Sequence, residues 1–189
     1  MRVIAGKARR LQLKTIEGMN TRPTQDRTKE TMFNVINNYV PGCYFLDLFS
    51  GSGGIGIEAA SRGAKKCVLV ENNRQAYDCI MYNLKYTKLE DVSKVMFTTV
   101  ESAIKQLDNA GEHFDIVFMD PPYNHLFEKD VLNYLKDSNL ISDESIIIVE
   151  ASNETEFDYL KDMGYEIIKE KVYKTNKHVF IQLCGEIVW

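Results

Sequence analysis

Five short apolar runs punctuate the chain: 43–49 (CYFLDLF), 66–71 (KCVLVE), 94–100 (KVMFTTV), 114–120 (FDIVFMD) and 145–151 (SIIIVEA). Runs such as IIIV leave no polar side to a strand, which is the pattern of strands covered on both faces. Stretches with helical apolar spacing follow them: 54–63, ended by Gly63, then 74–87, and others near 102–110, 126–137 and 154–163. Strands alternating with helices predict a parallel sheet covered on both sides. Two further segments, 165–175 and 177–184, read as an antiparallel pair with a tight turn at Asn176. At the other end, RVIAG and RLQLK in residues 1–14 predict two short strands around a turn, and 15–22 is a polar loop. A helix opened by Pro23 or Thr24 is expected through about Tyr39, with Met32, Phe33, Val35, Ile36 and Tyr39 as its apolar stripe, before Pro41-Gly42 closes it. The fold class is therefore α/β: a mostly parallel seven-stranded sheet with an antiparallel C-terminal hairpin, plus an N-terminal β-hairpin and helix. Residues 1–40 read as an extension on a core of 41–189. No internal repeat or low-complexity segment interrupts the pattern.

Composition narrows the class without changing the fold. At 189 residues, 44% hydrophobic and 26% charged, the chain can bury a core as one soluble domain. No apolar run approaches the ~20 residues of a membrane span, and the basic start MRVIAGKARR lacks the apolar stretch of a signal peptide. Cys43, Cys67, Cys79 and Cys184 show no CxxC spacing, and only three histidines are present. Reduced thiols in a cytoplasmic protein without a metal site are expected, and a monomer. Charge does change the picture. Residues 1–30 carry eight basic and three acidic side chains, a net +5, while the other 159 carry 15 basic and 24 acidic, a net −9. A basic arm on an acidic body suits a polyanion partner, or is a locally charged, solvated N-terminus.

Candidate chemistry gathers at strand ends, where ligands of open α/β sheets bind. The first strand runs into DLFSGSGGIGIE (47–58). Its glycines allow a tight turn with close backbone approach to a ligand, and the turn leads into a helix N-terminus. A glycine-rich loop alone is a weak signal and also fits a nicotinamide cofactor. Here Asp47 precedes the glycines, where a carboxylate repels a pyrophosphate but suits an ammonium group. The second strand ends in Glu71, 20 residues after Gly51, a place from which an acid accepts from ribose hydroxyls or is simply solvated. A ribose-bearing cation without phosphate describes S-adenosylmethionine, with S-adenosylhomocysteine as product. Phe49, Gly51, Ser52, Gly53 and Asn72 complete that expected pocket.

The fourth strand ends in Asp120-Pro121-Pro122-Tyr123. Asp-Pro is an ordinary turn opener. Beside a methyl donor it gains a mechanism. An exocyclic amine on a nucleobase is a poor nucleophile because its lone pair is delocalised into the ring. Accepting its hydrogens at Asp120 and at the Pro121 carbonyl localises that pair, and Tyr123 offers a ring on which a flipped-out base can stack. The prolines stiffen the turn, so the benefit is positioning and electrostatics. Glu150, ending the fifth strand, faces the base or is solvated.

With those motifs in place, residues 43–123 resemble the class I S-adenosylmethionine-dependent methyltransferases, whose Rossmann-like fold the pattern fits. DPPY occurs in enzymes that methylate adenine N6, cytosine N4 or guanine N2. RVIAGKARRLQL followed by RPTQDRTKETMFN (22–34) is more specific: it resembles the bacterial 16S rRNA guanine-N2 methyltransferase family. The resemblance reaches about residue 183, and the tail GEIVW has no counterpart. It implies a substrate of 16S rRNA or a small-subunit assembly particle, and a segment over the active-site mouth that includes Arg22, Thr24 and Arg27. Arg22 and Arg27 would meet phosphates or the donor's carboxylate, and Arg9 and Arg10 belong to the basic arm. Relatives often carry Asp or Asn after the third strand beside the donor's adenine. Val100 stands there, followed by Glu101, so Glu101 substitutes or the backbone alone makes the contact.

The resulting expectation is methyl transfer to guanine N2. Three rival readings stay open: a DNA or RNA adenine-N6 methyltransferase using the same DPPY site, an rRNA-binding module without catalysis, and a nicotinamide-dependent oxidoreductase.

Overall fold

In a computed structural model the chain is described over residues 1–16, 23–122 and 127–185, the side chains of 23–25 excepted. Helix α1 (Pro23–Val35) precedes strand β1 (Tyr44–Asp47), helix α2 (Gly54–Ser61), β2 (Lys66–Glu71) and α3 (Arg74–Thr87). Then come β3 (Ser93–Phe97), α4 (Val100–Asn109), β4 (Ile116–Met119), α5 (Phe127–Lys136), β5 (Ile146–Ser152), β6 (Tyr165–Val172) and β7 (Asn176–Leu183). The strands form one sheet in the order β3-β2-β1-β4-β5-β7-β6. The first five are parallel, and β7 inserts antiparallel between β5 and β6.

Side-chain alternation along the strands builds two cores. Phe45, Leu69, Phe118, Ile148 and Phe180 face the N-terminal arm, α1, α2 and α3. Leu46, Val68, Met119, Val149 and Ile181 face α4 and α5. Both faces are covered, which is why the strands read as continuous apolar runs.

Four local expectations change. The N-terminal hairpin is reduced to a single antiparallel bridge, Arg2 opposite Gln12. The N–H groups of Val3, Arg10 and Leu13 still bond across the arm, but others go to side chains of α2: Ile4 and Ala5 N–H to Glu58, and Ala8 N–H to Ser61 Oγ at 2.9 Å. The helix expected to Tyr39 stops at Val35 and continues as turns. The helix near 154–163 shrinks to a 3-10 turn, Asp158–Leu160, tucked under the sheet edge by buried Phe157 and Leu160. Asn176 opens β7 rather than forming the turn, and the Tyr173 N–H donates to its carbonyl at 2.8 Å.

Candidate active site

Strand order reverses between β1 and β4, so the crevice lies beyond their carboxyl ends. The first wall is the turn from β1 to α2. Gly51 (φ 54) and Gly53 (φ 82) both take left-handed backbone, which favours glycine. A Cβ on Gly53 would also meet Ile57 and Ile80 at 3.0 and 3.4 Å, whereas one on Gly51 would point into open space. Asp47 sits under this turn with 1% exposure. Its Oδ2 accepts from the Gly56 N–H in the first turn of α2 at 3.0 Å, where the helix dipole favours negative charge. Its Oδ1 is buried with no partner among the described residues. Burial pushes this carboxyl up to about 7; the Gly56 N–H and the Ser50 hydroxyl pull it down, the charge of Glu71 pushes it up, and the Phe49 N–H pulls it down more weakly.

Glu71 ties the second wall to the first. Its Oε2 accepts from the Gly51 N–H at 2.8 Å, and its Oε1 from the N–H groups of Asn72 and Asn73 at 2.9 and 2.8 Å. Each carboxylate oxygen has two lone pairs, so Oε2 still has room for a hydroxyl. Asn72 is exposed and joins through its backbone, while Asn73 caps α3. Phe49 is half-buried against the core, and Ser52 is held through its carbonyl, which accepts from Asn83 Nδ2 at 2.9 Å.

The third wall begins at Asp120, just past β4. Asp47 lies opposite Phe118, so Asp120 stands two residues further out on the neighbouring strand. Asp120 is exposed at its surface, yet many protein atoms surround its carboxyl. That crowding, then the charges of Glu150 and Asp47, push its carboxyl well above the usual range. Pro121 is buried and Pro122 exposed, and both line a cavity of about 620 Å³ that continues past Glu150, Ser152 and Tyr159. That volume suits a nucleoside-sized ligand.

The remaining candidates are more scattered. Glu101 is exposed in the first turn of α4 and ion-paired with Lys105 at 2.6 Å, and Val100 is half-buried against the core. Arg9 and Arg10 are exposed on the turn that packs against Ser61, the end of α2 away from Gly53. Arg27 is exposed on α1. Tyr123, Arg22 and the side chain of Thr24 lie outside the described residues. Sequence reasoning missed Asn83, Glu58 and the partners of Glu150. A buried Asn or Glu inside an amphipathic helix reads as a solvent-facing residue, and only the apolar neighbours of Glu58, in GIGIEAAS, hint otherwise.

Asp47 Oδ1 gives a direct test of fit for the expected donor. A buried, unpartnered carboxylate oxygen is unfavourable, and an ammonium group reaching it would supply the missing hydrogen. Reversal of strand order at β1/β4, with the last strand inserted antiparallel beside β5, is the arrangement of the class I S-adenosylmethionine-dependent methyltransferases. Within that class the chain belongs to the family described as "Conserved hypothetical protein 95", whose model matches residues 1–182. It is similar to ribosomal RNA small subunit methyltransferase D of Haemophilus influenzae, at 33% identity over 172 residues covering 90% of this chain and 88% of that one. A hypothetical protein from Thermus thermophilus superposes with a TM-score of 0.82 at 27% identity, over 97% of this chain and 99% of its own. An S-adenosylmethionine-dependent methyltransferase from Agrobacterium tumefaciens shares the fold alone, with a TM-score of 0.63 at 15% identity over 87% of this chain and 63% of that one.

Proposed function

We propose that the protein transfers a methyl group from S-adenosylmethionine to the exocyclic N2 amine of a guanine in 16S rRNA, bare or in a small-subunit assembly particle in the cytoplasm. One observation carries the reading: two carboxyls gather at the switch point, Asp47 buried under the glycine turn and Asp120 two positions further out on the neighbouring strand, close enough for the charge of one to act on the other. The rRNA substrate is supported by the relative from Haemophilus influenzae and by the basic arm.

S-adenosylmethionine supplies an electrophilic methyl group when bound. Asp47 Oδ1 takes the donor's ammonium, and Glu71 Oε2 takes a ribose hydroxyl. Neither acid serves the sulfonium, whose charge disappears in the transition state; pairing it would favour the ground state. Asp120 and the Pro121 carbonyl accept the amine hydrogens, localise the lone pair and aim it. Tyr123 is assigned the stacking role. Arg9, Arg10, Arg22, Thr24 and Arg27 are assigned to the RNA, and Glu101 or the backbone beside Val100 to the donor's adenine.

The deciding experiment incubates the protein with methyl-labelled S-adenosylmethionine and small subunits or total rRNA from cells lacking the gene. The RNA is then digested to nucleosides. Label in N2-methylguanosine from 16S rRNA is the expected result. Label in a methyladenosine would move the target to another base, and no label in RNA despite donor binding would overturn the reading.

A further inference from the structure

Two carboxylates lie abreast at the base end of the cleft, and the reaction above uses only one. Asp120 follows Met119 just past β4, and Glu150 follows Met119's partner Val149 within β5, which runs on to Ser152, two residues beyond Glu150, rather than ending there; the charge of Glu150 acts on Asp120. Glu150 is held rather than merely solvated. Its Oε1 accepts from Asn176 Nδ2 at 2.6 Å, and its Oε2 lies 3.1 Å from Nε2 of buried His178. His178 Nδ1 lies 3.1 Å from the Tyr173 hydroxyl. An ionised carboxylate only accepts, so the tautomer that pairs with one carries its hydrogen on Nε2 and leaves Nδ1 to accept from Tyr173 O–H. The chain of bonds fixes the carboxylate while leaving each oxygen a lone pair. The side chain keeps 20% of its surface exposed, and it borders the cavity beside Pro121 and Pro122.

The geometry points to Glu150 as the residue that selects the base, by accepting the ring N1–H of a flipped-out guanine whose N2 amine is held at Asp120. This inference rests on the guanine-N2 reading and deepens it. A flipped base is read on its Watson–Crick edge. On that edge guanine carries an N1–H donor next to its amine. Adenine carries a ring-nitrogen lone pair beside its amine, and so does cytosine. When both are ionised, adjacent carboxylates offer acceptors only, and their mutual repulsion is part of what raises the Asp120 carboxyl. The three N–H hydrogens of guanine satisfy both, whereas adenine or cytosine would turn a lone pair toward Glu150. Leaving a buried polar group unpaired in this way discriminates far more strongly than pocket shape does. Asn176, His178 and Tyr173 are positioning residues for this contact.

The test uses small-subunit rRNA transcripts, bare or assembled, in which 2-aminopurine replaces part of the guanine. That base keeps the 2-amine but presents a lone pair at N1. Wild-type protein should prefer guanine by about a hundredfold or more. In Glu150→Gln the amide can donate to N1 of 2-aminopurine, so the preference should fall at least about tenfold, with melting temperature and S-adenosylhomocysteine affinity unchanged. Equal slowing on both bases, with the ratio intact, would make Glu150 a structural residue and overturn the inference while leaving the guanine reading standing. Wild-type label on adenine or cytosine would overturn both together. Asn176→Ala provides a second variant that keeps the charge. It should lower kcat on guanine and narrow the preference without changing donor affinity, and an intact preference there would also count against the inference.

Discussion

The side-chain amide of Asn83 closes a ring on the backbone of Lys14: Oδ1 accepts from the Lys14 N–H at 2.8 Å, and Nδ2 donates to the Lys14 carbonyl at 2.9 Å. The same Nδ2 donates to the Ser52 carbonyl, so one buried side chain binds the N-terminal arm to the donor turn. Asn83→Leu would strand the Lys14 N–H and the Ser52 carbonyl, at about 1–3 kcal/mol each if they stay dry, and would leave the Lys14 carbonyl only the Cys79 thiol at 3.3 Å. We expect a lower melting temperature in calorimetry and weaker S-adenosylhomocysteine binding in the folded remainder. Normal melting and binding would show that the turn is held by other contacts.

Glu58 anchors the same arm at the other end of α2. With no exposed surface, it accepts from the N–H groups of Ile4 and Ala5, from Arg62 Nε at 2.8 Å and from Lys29 Nζ at 3.2 Å. Burial lowers the pKa of Lys29, and the charge of Glu58 opposes that. Breaking a buried pair typically costs about 3–5 kcal/mol because one charge is left alone. Glu58→Gln should therefore lose stability of that order in urea denaturation. Adding Lys29→Met should restore part of it, and a double variant no better than the single would refute the coupling.

Asp47 predicts a pH dependence with a definite sign. Its carboxyl titrates at about 7 in the fold against an ordinary 3.8. Between those values the native state keeps a proton that the unfolded chain has lost, so stability of the donor-free protein falls as pH rises through that window. An ammonium ligand prefers the ionised form. Affinity for S-adenosylhomocysteine should rise with pH up to about 7 and then level, with proton release visible by calorimetry in two buffers. Asp47→Asn should bind weakly and lose the slope. A wild-type affinity flat from about pH 5 to 8 would exclude Asp47 as the titrating contact.

Asp120 holds the amine rather than the donor. Asp120→Ala should abolish methyl transfer while S-adenosylhomocysteine affinity stays within about tenfold. A matching loss of donor binding would assign it to the donor instead.

Arg9 and Arg10 project from the turn at Ser61, away from the donor loop. Reversing both charges should weaken rRNA binding and flatten its salt dependence, leaving donor binding intact. An unchanged salt slope would place the phosphate contacts elsewhere.

The strand ends were legible because they obey two local rules. Apolar runs stop where the sheet stops, and Asp47, Glu71 and Asp120 are the polar residues standing there. The alternation of runs and helical stripes gave the sheet its class for the same reason. What could not be read depends on distant partners. The arm looks like two strands because Val3 and Leu13 are buried, yet the N–H groups of Ile4, Ala5 and Ala8 are satisfied by Glu58 and Ser61, more than 50 residues away. Residues 154–163 carry Phe157, Leu160 and Met163 at helical spacing, and burial of those side chains needs only one turn. Glu150 is visible as a strand-end acid, but its partnership with His178 requires knowing that the last strand pairs beside the fifth.

That pairing also sets the order in which the molecule becomes competent during its own synthesis. The side-chain ties on the donor turn, Asn83 to the Ser52 carbonyl and Glu71 to the Gly51 N–H, both precede residue 88, although the strand before the turn also leans on β4 through the Leu48 N–H and the Phe118 carbonyl. The clamp on Glu150 is built from residues 173–178 on the final hairpin. A growing polypeptide therefore finishes the side-chain ties on its donor turn well before it finishes the clamp on Glu150. Specificity is the last property to arrive, and a chain released before its closing strand has folded would have the reagent pocket without the device that chooses the target.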